Sequence, residues 1–168
     1  MKQHQQKIMT ALLLILLVGW IGRHRIRNFF PPKIKFASSV LTNIEKGEQL
    51  RINDYKGKVV IVSLYQTWCA DCARETPVLN QLVANINNNN FVVIYISDEP
   101  AEKVNNFRQR FTSDRILFSQ SASGLKEFGI GAFPTTFLLD KNGKAIITKV
   151  EGYDWLQEEA TIKKLMAD

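Results

Sequence analysis

An apolar, largely β-branched run, Val59-Val60-Ile61-Val62-Ser63-Leu64-Tyr65, is separated by only Gln66-Thr67-Trp68 from Cys69-Ala70-Asp71-Cys72. A continuous run of that kind is the pattern of a central strand covered on both faces. Val78, Leu79, Leu82, Val83 and Ile86 then recur at helical spacing, and Asn87-Asn88-Asn89-Asn90 forms a polar turn that ends the helix. The chain is thus committed to a buried strand feeding a helix, with its only two cysteines at the junction. Two thiols separated by two residues at such a point can form and break a small disulfide, which favours redox chemistry over a structural role.

The flanking sequence extends this pattern into one domain. Phe91-Val92-Val93-Ile94-Tyr95-Ile96 reads as a second buried strand, and about 25–30 residues per strand-helix-strand unit fits a parallel crossover. Upstream, Val40–Ile44 and Gln49–Ile52 suggest a short hairpin. Downstream, Asp98-Glu99-Pro100 opens a helix through Phe107 and Phe111, and Ser123 to Phe128 reads as another short one. Thr135–Leu139 and Ala145–Val150 form a hairpin in which Asn142-Gly143 is expected to supply the positive φ angles of the turn. Asp154 can cap a last amphipathic helix bearing Trp155, Leu156, Ile162, Leu165 and Met166. The fold class is α/β, with parallel strands and crossover helices finished by an antiparallel hairpin and a helix. At 168 residues there is room for one such core.

The net charge of +6 invites a nucleic-acid reading, but its distribution opposes one. Residues 1–44 hold seven Lys or Arg and no acid, leaving 15 basic against 16 acidic residues from Glu45 onward. The basic excess flanks the uncharged stretch Ile8–Gly22 and reads as charge at a membrane surface. At ~1.5 Å per residue that stretch spans only ~22 Å, short for a bilayer crossing, with Trp20, Ile26, Phe29 and Phe30 able to extend the contact. No small-x-small site follows it, so an uncleaved anchor is favoured over a cleaved signal peptide. Residues 1–27 are therefore read as anchor and basic flanks, 28–39 as a Pro31-Pro32-stiffened linker, and 40–168 as the soluble domain. Charge counting alone would keep that domain in the cytoplasm, whereas an N-terminal anchor ahead of a redox domain is a common route to export. Export is the expectation, with the domain facing the periplasm from a bacterial inner membrane.

Helix-start geometry distinguishes the two cysteines. Unpaired backbone N–H groups and the helix dipole favour a thiolate at the first, so Cys69 is the expected nucleophile. Cys72, one turn in and more buried, is the expected resolving thiol. Pro77 removes one helical hydrogen bond and should kink the helix without ending it. A purely stabilising disulfide gains little from so short a loop. Zinc would need further ligands, and His4 and His24 lie beside the anchor.

Trp68-Cys69-x-x-Cys72 with Pro77 five residues on, together with Phe133-Pro134-Thr135-Thr136 before a strand, resembles thioredoxin-fold proteins, most closely the TlpA/ResA-type exported thioredoxins. Gly57-Lys58-Val59-Val60-Ile61-Val62, the helix-bearing insert around Asp98–Phe118, and Gly131 through Lys144 share the likeness, which spans roughly residues 37–165. The resemblance implies a thioredoxin fold, a central mixed sheet flanked by helices with an N-terminal hairpin and a central helical insert, preceded by one transmembrane helix. It implies no cofactor. It also implies that Pro134 is a cis-proline facing the cysteines, whereas the residues alone would suit an ordinary turn proline. A cis bond would expose the Phe133 backbone to an extended substrate segment, with Trp68 and Thr135 beside it.

Departures from the family pattern bear on mechanism. Asp71 stands where proline commonly precedes the second cysteine, so Ala70-Asp71 is the potential-tuning dipeptide. A carboxylate there opposes the Cys69 thiolate and favours electron donation, unless water and Arg74 screen it. Ser63 occupies the position of the buried aspartate of cytosolic thioredoxins and is a poor base. Glu75 matches a carboxylate of the ResA-type site and is the candidate proton relay for Cys72, the alternative being a solvated helix carboxylate. The function so implied is reduction of disulfides in exported proteins, with apocytochrome c as the family-suggested substrate and a membrane electron donor upstream. A general oxidase or isomerase stays open. A peroxiredoxin would want Thr where Gln66 stands, and a metallochaperone would want His or Met near the cysteines.

Overall fold

The computed structural model describes residues 35–111 and 115–168. In chain order these form β1 (Leu41–Asn43), β2 (Gln49–Leu50), β3 (Val59–Leu64), α1 (Ala70–Ile86), β4 (Phe91–Ser97), α2 (Ala101–Gln109), β5 (Ile116–Ser121), β6 (Thr135–Leu139), β7 (Ala145–Val150) and α3 (Glu159–Ala167). One mixed sheet runs in the order β2-β1-β5-β4-β3-β6-β7. The β3–β4 and β4–β5 pairs are parallel, and the remaining pairs are antiparallel. The expected anchor (residues 1–27) and most of the expected linker lie outside the described residues. Within that linker, Lys35–Ser38 forms a 3-10 turn and Ala37 packs against the core. Among the described residues no helix is long and apolar enough to cross a membrane.

Every residue of β3 is buried, and its alternation divides the core in two. Val59, Ile61 and Tyr65 face a cluster built with α1, α2 and α3, whereas Val60, Val62 and Leu64 face a second cluster closed by Ile52, Leu125 and Ile130. Burying each such aliphatic side chain contributes about 1.5–3 kcal/mol, so β3 stays central. Tyr65, Tyr95, Phe107 and Phe118 form an aromatic knot on the helical side, and Phe107 lies 5.0 Å from Tyr65 by ring centroid. That contact docks the insert helix α2 onto the sheet.

Two sequence expectations need amendment. The strand β5 has no counterpart in them: only Ile116-Leu117-Phe118 is apolar, and Ser119-Gln120-Ser121 completes the strand through its pairing with both β4 and β1. In the β6–β7 hairpin only Gly143 has a positive φ, 78°. Asp140 organises that turn by accepting from the backbone N–H groups of Asn142 and Lys144, so Asn142 keeps an ordinary φ and a register shift follows at Leu138/Leu139. At the end of α1, Asn87 does take the left-handed conformation, with φ 42° and its N–H bonded to Val83 O. Helix α1 runs through Pro77 unbroken.

Candidate active site

At the carboxyl end of β3 the chain turns once and enters α1 with Cys69 as its N-cap. Cys69 and Cys72 form a disulfide, and the Cys72 N–H donates to Cys69 Sγ at 3.1 Å. Cys69 is 7% exposed and Cys72 is fully buried, so a partner reaches the first sulfur only. The helix start that supplies this N–H would also stabilise a Cys69 thiolate once the bond is opened.

Across from the disulfide, the Phe133–Pro134 peptide is cis. The Phe133 carbonyl oxygen lies 3.4 Å from Cys69 Sγ. Thr135 anchors this loop by donating from Oγ1 to Ala132 O at 2.7 Å, and the Glu151 N–H donates to Pro134 O at 2.9 Å. Trp68 is 72% exposed and stands edge-on to Phe133, with ring centroids 6.1 Å apart. The two rings form an apolar surface beside the contact between Cys69 Sγ and the Phe133 carbonyl, of a kind suited to an extended polypeptide.

Behind the disulfide sits a buried carboxyl group. Glu75, three residues along α1 from Cys72, is 2% exposed. Trp155 Nε1 donates to its Oε1 at 2.7 Å, while Ser63 Oγ and Thr136 Oγ1 both lie 3.0 Å from its Oε2. Ser63 and Thr136 face each other across the β3–β6 pair, which puts both hydroxyls on the helical side of the sheet. Burial pushes the Glu75 carboxyl above its ordinary range, and the donors from Trp155, Ser63 and Thr136 pull partly the other way. A solvated helix carboxylate is therefore not what Glu75 is.

Asp71 is half exposed and forms an ion pair with the more exposed Arg74. Ala70 is the first residue of α1 and lies at the surface. A groove of about 350 Å³ beside them is lined by Asp71, Arg74, Glu75, Tyr153 and Asp154 among others. Among the described residues no cluster of His, Cys, Asp or Glu could hold a metal ion.

Residues that sequence reasoning left out complete the site. Trp155 was assigned only to the apolar face of the last helix, although its indole N–H needs a partner wherever it is buried. Thr136 stands in the Phe-Pro-Thr-Thr motif and an apolar strand with no sign of its partner, and Ser63, a poor base, proves to be a donor. Nothing in the sequence pairs Gln66, Asp98 and Glu99 with their partners, because those bonds join loops 27 to 32 residues apart.

Residues 34–147 match the model of the AhpC/TSA family. The thiol-disulfide oxidoreductase ResA of Geobacillus thermodenitrificans is 34% identical over 152 residues, covering 86% of this chain and 87% of that protein. The protein of the same name from Geobacillus kaustophilus is 35% identical over 158 residues, covering 88% and 90%. Among solved structures, the thioredoxin domain of a thiol-disulfide oxidoreductase from Bacteroides vulgatus superposes with a TM-score of 0.65 at 24% identity, covering 79% of this chain and 96% of that one. The exposed lipoprotein thioredoxin of Streptococcus pneumoniae gives 0.62 at 22% identity, covering 74% and 97%. At those identities the two structures attest the fold alone.

Proposed function

The chain belongs to the AhpC/TSA family, with a thioredoxin-like fold, and is a thiol–disulfide oxidoreductase; from that premise we propose that it reduces disulfides in exported proteins. Cys69 is the nucleophile and Cys72 the resolving thiol. A Cys69 thiolate attacks one sulfur of the substrate disulfide, forming a mixed disulfide and releasing the first substrate thiolate. Cys72 then passes its proton to the Glu75 carboxylate and attacks Cys69 Sγ. The Cys69–Cys72 bond forms and the second substrate thiolate leaves. Two electrons pass to the substrate, both released thiolates take up protons, and a dithiol donor on the membrane side resets the pair.

The observation that carries this reading is the Cys69–Cys72 disulfide lying against the Phe133 carbonyl, with the buried Glu75 carboxyl on the same helix one turn behind. The groove between Trp68, Phe133, Pro134 and Thr135 is the substrate's seat. Ala70 and Asp71 tune the potential: a charge beside Cys69 raises the energy of the reduced thiolate and so favours giving electrons away. The relatives named above support the thiol–disulfide chemistry, the apolar N-terminal stretch with its basic flanks supports a membrane tether, and export rests on the common use of such an anchor ahead of a redox domain. Apocytochrome c is one substrate with the required chemistry, a polypeptide carrying a small disulfide.

The test is trapping. Cys72→Ser should hold substrates as mixed disulfides on Cys69, and their identification names the pathway. Recovery of no partner by this variant, with Cys69→Ser cells behaving normally, would sink the assignment. Insulin reduction compared with refolding of a reduced protein separates a reductant from an oxidase or isomerase. Alkali extraction and protease access on intact spheroplasts test the tether and its orientation.

A further inference from the structure

Exchange with a protein disulfide requires two loops to stay in register: the one that delivers Cys69 and the one that presents Phe133-Pro134. A misplacement of ~1 Å in such a reaction costs on the order of 100-fold. Asp98, the residue after β4, is bonded to both. Its Oδ1 accepts from Gln66 Nε2 at 2.6 Å, three residues before Cys69. Its Oδ2 accepts from the backbone N–H of Leu125 at 2.8 Å, where the 3-10 turn Leu125–Phe128 begins. From that turn the chain passes through buried Ile130 to Phe133.

The neighbouring residue reinforces one side. Glu99 accepts from both the N–H and Oγ1 of Thr67, and its own carbonyl accepts from Gln120 Nε2 at 3.0 Å. Neither Asp98 nor Glu99 takes part in a salt bridge among the described residues. Both carboxylates are committed to neutral donors, in bonds roughly twice as strong as those between neutral groups. Glu99 grips the Cys69 loop alone, whereas Asp98 ties it to the Pro134 loop.

We propose that Asp98 is a positioning residue that couples the Cys69 loop to the Phe133-Pro134 loop and so fixes the groove that holds a protein disulfide during exchange. The proposal rests on the thiol–disulfide reading of the site. It makes a specific demand: a small disulfide needs Cys69 alone, but a polypeptide needs Cys69 and the Phe133 backbone together. Loss of Asp98 therefore acts on polypeptide substrates selectively.

The experiment compares the reduced full-length chain with Asp98→Ala, Gln66→Leu and the double variant. Each is measured against insulin and against glutathione disulfide. The expected result is a fall for Asp98→Ala that is about tenfold greater for insulin than for glutathione disulfide. Gln66→Leu should show the same split to a smaller degree, and the double variant should fall no further than Asp98→Ala, because both cut one connection. Parallel losses on the two substrates, no loss on either, or additive effects in the double variant would overturn the proposal. Should Asp98→Ala fail to fold, Gln66→Leu decides alone, since it cuts only one of the two bonds. A wild-type protein inert toward both disulfides would instead refute the oxidoreductase reading.

Discussion

Replacing Glu75 by Gln tests the proposed proton-accepting role of this carboxyl group apart from its structural one. The native side chain receives Trp155 Nε1 at 2.7 Å and two hydroxyls at 3.0 Å, and it is 2% exposed. In Glu75→Gln the amide oxygen accepts from the indole, and the amide nitrogen donates to Ser63 or Thr136, whose hydroxyls can accept as well. No buried group loses its partner, so folding stability should change by only about 1 kcal/mol. An amide cannot take the proton from Cys72, however, and a positioned base contributes about 10²–10⁴ in rate. Resolution of a mixed disulfide on Cys69 should therefore slow by about 100-fold. The assay forms that mixed disulfide with a peptide, then follows peptide release by acid quench and mass spectrometry at several pH values. Stability supplies a second readout. Burial raises the folded Glu75 above its ordinary 4.5, so between that value and the raised one the folded state binds more protons than the unfolded chain. Stability of the wild type must then fall as pH rises through this window and level off above it. Glu75→Gln lacks that fall, and its advantage over the wild type opens as pH rises. Equal resolution rates at every pH would refute the relay, and a stability difference independent of pH would refute the buried, raised carboxyl.

Three smaller perturbations test other parts of the molecule. Asp71→Asn removes a charge beside Cys69, but Asp71 is 40% exposed by side chain and paired with Arg74. An exposed charge of that kind is worth at most about 1 kcal/mol, so the reduction potential should move by no more than about 20 mV, toward the oxidising side. Equilibration against glutathione buffers measures it, and the absence of a shift toward the oxidising side would discard the tuning role. Trp68→Ala should cost about 0.5 kcal/mol of stability or less, because the ring is 72% exposed. If the ring is a substrate anchor, KM for a protein disulfide should nevertheless rise by about tenfold or more; an unchanged KM removes Trp68 from the groove. Ser119 is fully buried and its hydroxyl has no hydrogen-bond partner among the described residues, so Ser119→Ala should stabilise the domain by about 1 kcal/mol and raise Tm by about 2–4 °C. A lower Tm in calorimetry would show that this hydroxyl is bonded.

The chain announces its fold where burial is written as periodicity and hides it where pairing supplies the stabilisation. β3, β4 and α1 follow from runs of apolar residues whose spacing admits one reading, and their observed bounds fall within two residues of it. β5 is invisible at its polar end because Ser119, Gln120 and Ser121 are held as a strand by neighbours on both sides, not by propensity. The hairpin turn shows the same override in miniature: Asn142-Gly143 suggests two positive φ angles, but the Asp140 side chain caps the turn and only Gly143 takes one. At the site, the spacing of Cys69 and Cys72 carries its own chemistry. The surroundings of Glu75 do not, because its three donors come from β3, β6 and the turn before α3. Spacing along a helix shows that Glu75 neighbours Cys72, but only the folded sheet shows that it is dry.

Trp155 joins the end of the chain to its chemistry. It lies 80 residues beyond Glu75 and is fully buried with its indole on that carboxyl group. A chain with its sheet formed and Trp155 undocked would leave Glu75 without the shortest of its three hydrogen bonds. Such a chain would still hold both cysteines, but the carboxyl group proposed above to take the Cys72 proton would sit in a different environment. Docking of the C-terminal segment is thus coupled, through one indole, to the surroundings of Glu75. A chain ending before Trp155 would keep the Cys69-Ala70-Asp71-Cys72 sequence intact and lose the indole that bonds Glu75.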